Sequence, residues 1–253
     1  IDAGLGLLKE AHWSSLKRRF RFYNHYLLVS ARLKNIERGE AAIQLLRELS
    51  LSDESAGRYH FFASSLASIH YYSNTRQFEK MIAFATEAGE ELNRFESPGP
   101  IDVHYGLLNA LKLARFIAGD FEGVIEYTAR QQEPVFKKGR KDSNIVAQMW
   151  EIMAHIELEN FTVVQSLVRS FLRATEKDNN MDIQVAVLYK TFQKLPVPKS
   201  EVPALMQACK DEIISIDPRV VDYATVIFAW IDSQIQRRPI LEILKEKVPA
   251  GKS

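Results

Sequence analysis

One turn recurs along this chain at a nearly constant interval, and nothing else in the sequence constrains the fold so tightly. It appears as Arg38-Gly39-Glu40-Ala41, Thr75-Arg76-Gln77-Phe78, Gly119-Asp120-Phe121, Glu159-Asn160-Phe161, Lys199-Ser200-Glu201-Val202 and Arg237-Arg238-Pro239-Ile240. Each sets small or polar residues before an apolar one, which is aromatic in the middle three. Counted from the last residue of each, the steps are roughly 37, 43, 40, 41 and 38 residues, the interval of stacked helical hairpins. A single hairpin cannot bury its outer face, so each needs neighbours.

The third unit, Ile101 to Gln132, shows the design most clearly. Leu107, Leu108, Leu111, Ala114 and Ile117 recur at three- and four-residue steps and share one helical face. Gly119 tolerates the positive φ that ends such a helix. Asp120 offers a carboxylate to the free N–H groups of the next first turn. Phe121, Val124 and Ile125 then give the second helix an apolar side facing the first.

The same reading divides the chain into hairpins at roughly 13–50, 56–96, 101–132, 143–177, 181–215 and 217–248, in one domain, with 249–253 expected to fray. Ser14 or Ser15 is expected to cap the first helix, and Ala41 to Leu49 to form a short second one. Ser52-Asp53-Glu54 reads as a polar link. Ser97-Pro98-Gly99-Pro100 excludes helix because of its two prolines, and Glu133 to Asp142 reads as a basic loop. The helix carrying Ile145, Val146, Met149, Trp150, Ile152, Met153 and Ile156 is apolar on most sides, as an inner helix is. Leu195-Pro196-Val197-Pro198 interrupts the fifth unit, with Ser200 as the expected cap, and Asp217-Pro218 opens the sixth. The stretch nearest to a strand, Ile183 to Leu188, fits a helix better. The expected fold is all-α.

The turns Gly119-Asp120-Phe121 and Asn160-Phe161, and more loosely Gln77-Phe78, joined to paired amphipathic helices, resemble the tetratricopeptide (TPR)-like α-α superhelix superfamily. The resemblance covers most of the chain as architecture. It implies a right-handed solenoid of about six TPR-like hairpins and a concave surface lined by the first helices. The units are longer than the family's period of about 34 residues, and its tryptophan, glycine and tyrosine positions are not found in register, so no functional residue is carried over.

Composition removes several function classes. Net charge is +1, from 33 basic and 32 acidic side chains, so no global field favours nucleic acid or a membrane surface. No apolar run approaches the ~20 residues of a membrane span. The single cysteine, Cys209, excludes an internal disulfide and fits a reducing compartment such as the cytoplasm. The chain begins at Ile1 rather than methionine and reads as part of a longer protein. No two of His12, His25, His60, His70, His104 and His155 stand at metal-ligand spacing. Gly4-Leu5-Gly6-Leu7 and Gly251-Lys252-Ser253 imitate phosphate motifs but lack the strand–loop–helix setting. Cys209 has Lys210 beside it but no partner base, so it reads as a structural thiol. These observations point to no catalysis and no cofactor.

Two polar features remain. The run Lys17-Arg18-Arg19-Phe20-Arg21-Phe22-Tyr23-Asn24-His25-Tyr26 mixes cations and aromatics in the manner of nucleic-acid binders. Helical spacing accounts for it more simply, with the aromatics packing and the cations solvated. The second feature is a stripe along the first helices: Arg18, Arg21 and His25; His60, Ser64 and Tyr71; Asp102, Tyr105, Asn109 and Lys112; Asn144, Gln148, Glu151 and His155. Side by side, these would line a groove for an extended peptide or a partner helix. The expected function is a non-enzymatic protein- or peptide-interaction scaffold within a larger protein. The alternatives are a ligand- or peptide-sensing regulatory domain, or an anionic-partner binder acting through the first hairpin.

Overall fold

The structure is a computed structural model that describes residues 16–33, 35–48, 54–95, 99–134, 136, 144–175, 183–220 and 224–247. Among them are twelve α-helices and no strand. They are α1 (Leu16–Arg32), α2 (Ile36–Glu48), α3 (Glu54–Asn74), α4 (Phe78–Leu92), α5 (Ile101–Ala118), α6 (Phe121–Gln131), α7 (Asn144–Glu157), α8 (Phe161–Thr175), α9 (Ile183–Gln193), α10 (Val202–Ile216), α11 (Thr225–Gln236) and α12 (Ile240–Lys247). Ser14, Ser15, Ser52, Asp53 and the 249–253 tail lie outside the described residues. No described helix is long and apolar enough to cross a membrane.

Five of the six expected turns fall between paired helices, and three share one hydrogen-bonding pattern. Gly119 takes φ +80°, and Arg76 and Glu159 take the same left-handed conformation at φ 58° and 57°. In the third hairpin Gly119 N donates to Phe116 O at 3.1 Å and Asp120 N to Arg115 O at 2.9 Å. Arg76 and Gln77 bond to Ser73 O and Tyr72 O, and Glu159 and Asn160 to Ile156 O and His155 O, at 2.9–3.0 Å. This is the Schellman closure, in which one left-handed residue turns two N–H groups back onto the helix's last carbonyls. Arg237, at φ 56°, ends α11 similarly, with Arg238 N donating to Ser233 O at 3.2 Å. Asp120 then caps α6 as expected, its Oδ1 accepting from Gly123 N at 2.9 Å.

The first turn lies earlier than expected. Asn35, not the Arg38–Ala41 stretch, joins the helices, and its Oδ1 accepts from Arg38 N at 3.1 Å. Gly39 sits inside α2 because the Tyr71 ring presses against it, leaving no room for a Cβ. The Tyr71 hydroxyl donates to Ile36 O at 3.1 Å, so this glycine permits a close helix contact rather than a turn. Ser200 is likewise not the cap of α10: Glu201 holds that position without a side-chain bond, and a proline follows in the first turn. Asp217 Oδ1 accepts from Arg219 N at 3.0 Å in a turn ahead of α11, which begins only at Thr225.

The helices gather into two compact units, Ile1–Ala114 with Ala129–Gly139, and Arg115–Thr128 with Arg140–Ser253. In the first, α1 packs on α2 and α3, α2 on α3, and α3 on α4. Glu40 pairs with Lys80 and Arg47 with Glu87, each across 40 residues, and Arg47 lies over the Phe84 ring at 4.6 Å. Ions 40 residues apart therefore meet between α2 and α4. In the second unit each of α7 to α11 packs on a helix next to it in the chain. Phe116, Ile152, Met153, Val164, Val168, Phe192, Phe228 and Trp230 are buried there, and Leu107, Leu108 and Leu111 in the first unit.

The turn geometry gives a signed prediction. No atom stands within 4 Å of a Cβ built on Gly119, so Gly119→Ala carries backbone strain alone and should cost about 1 kcal/mol. Glu159→Gly relieves the same strain and gives up only an exposed ion pair to Lys199. It should stabilise by about 0.5–1 kcal/mol. Urea unfolding of both variants checks the pair of signs.

Candidate functional site

The described residues of the expected polar stripe differ in burial. The side chains of Arg18, Arg21 and Asn144 lie outside the described set. His25 and Asp102 are exposed, and His60, Ser64, Tyr105, Asn109, Gln148 and Glu151 are half-buried. Tyr71, Lys112 and His155 are buried, which corrects the expectation that they face an open groove. Tyr71 is spent on α2. His155 Nδ1 stands 3.3 Å from Asn160 Nδ2 beside its own turn.

In the third hairpin the stripe faces the partner helix. Gln131 Nε2 donates to Asn109 Oδ1 at 2.9 Å and to Tyr105 O at 3.2 Å, and Gln131 Oε1 accepts from Lys112 Nζ. The helical spacing of 105, 109 and 112 is real, but its face meets the last turn of α6. A buried lysine demands such acceptors. The network is an interior tie.

Beside it, His104 lies between Phe62 and Phe136, with ring centroids 4.6 Å and 4.9 Å away. Neither ring nitrogen has a hydrogen-bond partner among the described residues. Burial, with a smaller contribution from the Arg130 charge, lowers its pKa to about 4. The imidazole serves as a neutral aromatic filler that pins Phe136 over α5.

Of the basic-aromatic run, the described side chains Phe22, His25 and Tyr26 border a cleft. Phe22 and Tyr26 stack at 6.4 Å, and with His25, Val29, Leu33 and Arg38 they border a cavity of about 290 Å³.

The more discriminating cavity lies within the second unit. It measures about 370 Å³, and its apolar wall comprises Ile156, Phe161, Leu195, Val197, Val202 and Met206. Glu157, Glu159, Lys199, Gln234 and Arg237 complete the lining. Glu157, the last residue of α7, reaches α11, where Trp230 Nε1 and Gln234 Nε2 each donate to its Oε1 at 2.5 Å. Its Oε2 accepts from no protein group among the described residues, and no cation pairs with it there. Burial raises the Glu157 pKa, while the bonds from Trp230 and Gln234 pull the other way. The cations at the rim are engaged elsewhere: Lys199 Nζ meets Glu159 Oε1 at 2.6 Å, and Arg237 Nη2 donates to Lys199 O at 3.1 Å.

Glu157 did not stand out in the sequence, because Ile156-Glu157-Leu158-Glu159 looks like any solvated helix end. Its partners are 73 and 77 residues away. The available signal was Trp230, whose indole N–H needs an acceptor once it is buried in an apolar helix.

Two other buried polar groups of this unit, Asp232 and Cys209, have structural partners. Asp232 receives Lys210 and Lys247, each at 2.6 Å, joining α10, α11 and α12. Burial opposes its ionisation, but the two ammonium groups outweigh it and lower the pKa. Cys209 is buried, which raises its pKa against a bond with Thr191, in keeping with a structural thiol. Among the described residues no cluster of His, Cys, Asp and Glu could hold a metal ion.

No family model matches this chain, and neither a curated protein nor a solved structure matches it.

His104 sets a pH prediction. Its folded pKa is about 4 against an ordinary 6.5, so the unfolded chain binds the proton first. The stability it contributes is complete above pH 6.5 and is lost as pH falls towards 4. The full swing is about 3 kcal/mol at one such shift. Denaturation midpoints from pH 7 to pH 4.5 should fall less steeply for His104→Phe than for the wild type.

Proposed function

We propose that this chain is a non-enzymatic protein- or peptide-interaction module of the TPR-like helical-repeat class, and that it binds through the cleft beside Glu157. The observation that carries the reading is the cleft itself. An apolar wall lies beside the Glu157 carboxylate, which Trp230 and Gln234 hold in place, a composition suited to an apolar chain oriented by a polar group. Repeated left-handed turns and ion pairs one repeat apart support the repeat class. A balanced net charge leaves little long-range pull on phosphate backbones, and a lone buried thiol suits the cytoplasm.

The interaction role expected of the stripe thus passes to other residues. Tyr71, Lys112 and His155 are committed to internal contacts, whereas the cleft offers unfilled volume.

Selection from a random peptide library against the full chain tests the proposal. Selected peptides should compete for one site. They should lose binding to Val197→Trp, which adds bulk to the cleft wall, and keep binding to Arg18→Ala plus Arg21→Ala. Binding that survives Val197→Trp, fails in the arginine variant and is released steeply by salt would transfer the function to an anionic partner of the first hairpin.

A further inference from the structure

We infer that the cleft beside Glu157 takes a primary ammonium group on an unbranched aliphatic stem, as a lysine side chain of the bound peptide presents it. The inference rests on the interaction reading above and names the chemistry of the same site. Its starting point is the asymmetry of the carboxylate. Trp230 and Gln234 both donate to Oε1, which occupies the two lone pairs of that oxygen. Oε2 has no protein donor among the described residues, and Glu157 has no counter-charge there.

Glu157 is half-buried, and a carboxylate partly withdrawn from water gains when a cation meets it. Holding the Trp230 indole does not require one, since a neutral amide oxygen would accept the same bond. The charge is therefore surplus to the internal packing. The rim does not supply the missing cation, because Lys199 is paired with Glu159 and the guanidinium of Arg237 is turned to the Lys199 carbonyl.

The walls define the rest of the ligand. Ile156, Phe161, Leu195, Val197, Val202 and Met206 provide aliphatic and aromatic surface suited to a run of methylenes. The volume, about 370 Å³, is near the small end of ligand sites and admits one side chain rather than a folded segment. The same geometry disfavours arginine. A guanidinium binds a carboxylate as a fork on both oxygens, and Oε1 is already filled. A compact ammonium needs only Oε2.

The test uses calorimetry on the full 253-residue chain with three probes. These are an acetylated and amidated alanine pentapeptide with lysine at its centre, the same peptide with norleucine there, and n-butylammonium chloride. The lysine peptide should bind wild type at least about tenfold more tightly than the norleucine peptide, and Glu157→Gln should abolish that difference. Val197→Trp, which keeps the carboxylate but adds bulk to the cleft wall, should weaken the lysine peptide equally and gives the answer if Glu157→Gln does not fold. Equal binding of the two peptides at the cleft overturns the ammonium inference and leaves the interaction reading standing. Binding of n-butylammonium as tight as that of the lysine peptide upholds the ammonium site but overturns its peptide source, making the ligand a small amine. No binding of any probe, or undiminished binding to both variants, overturns the inference.

Discussion

A helix that must reverse direction leaves its last carbonyls unsatisfied, and the way this chain satisfies them shapes most of its architecture. One residue turns left-handed, two N–H groups fold back, and the next helix starts within two or three residues. Gly119 adopts that conformation freely, whereas Arg76, Glu159 and Arg237 do so against a side-chain penalty of roughly 1–2 kcal/mol each. Such strain persists only where surrounding packing over-determines it. Here the packing comes from the apolar residue that opens the helix after the turn: Phe78 and Ile240 are buried, and Phe121 meets Phe116 edge-on at 5.6 Å. The tight turn makes the helices it joins neighbours, and in the first unit residues 40 apart meet between α2 and α4.

The recurrence of these turns was legible in the sequence because their chemistry is local. Gly119-Asp120-Phe121 states its conformation, its cap and its first apolar contact within three residues. The first turn misled for a physical reason. Gly39 looks like punctuation, yet it is a helix residue made small by Tyr71, an aromatic ring in another hairpin. A glycine that admits a neighbour cannot be told from a glycine that bends the backbone until the neighbour is known.

The polar stripe shows the same limit more sharply. Tyr105, Asn109 and Lys112 do share a helix face, as their spacing required. Whether that face meets water or Gln131 depends on the rotation of α5 against α6, and period alone does not set it. Lysine at 112 pointed outwards on composition, but the Gln131 amide, itself tied to Asn109 and Tyr105, keeps it inside. Glu157 errs in the opposite direction: an ordinary helix-end glutamate becomes singular only when Trp230 and Gln234 arrive from a hairpin two units on. Local sequence located the elements, and side-chain pairing across hairpins located the candidate site.

That site depends on one claim, that Glu157 holds a charge with no counter-charge among the described residues. Carbon-13 NMR of the full chain labelled at the glutamate side-chain carboxyls, assigned by the loss of one signal in Glu157→Gln, measures it directly. Glu157 should titrate above the ordinary glutamate range in the free protein, as its burial requires. Saturating n-butylammonium should then move that titration downwards while the other glutamates hold still. A Glu157 carboxyl that titrates in the ordinary range and ignores the amine would contradict the claim.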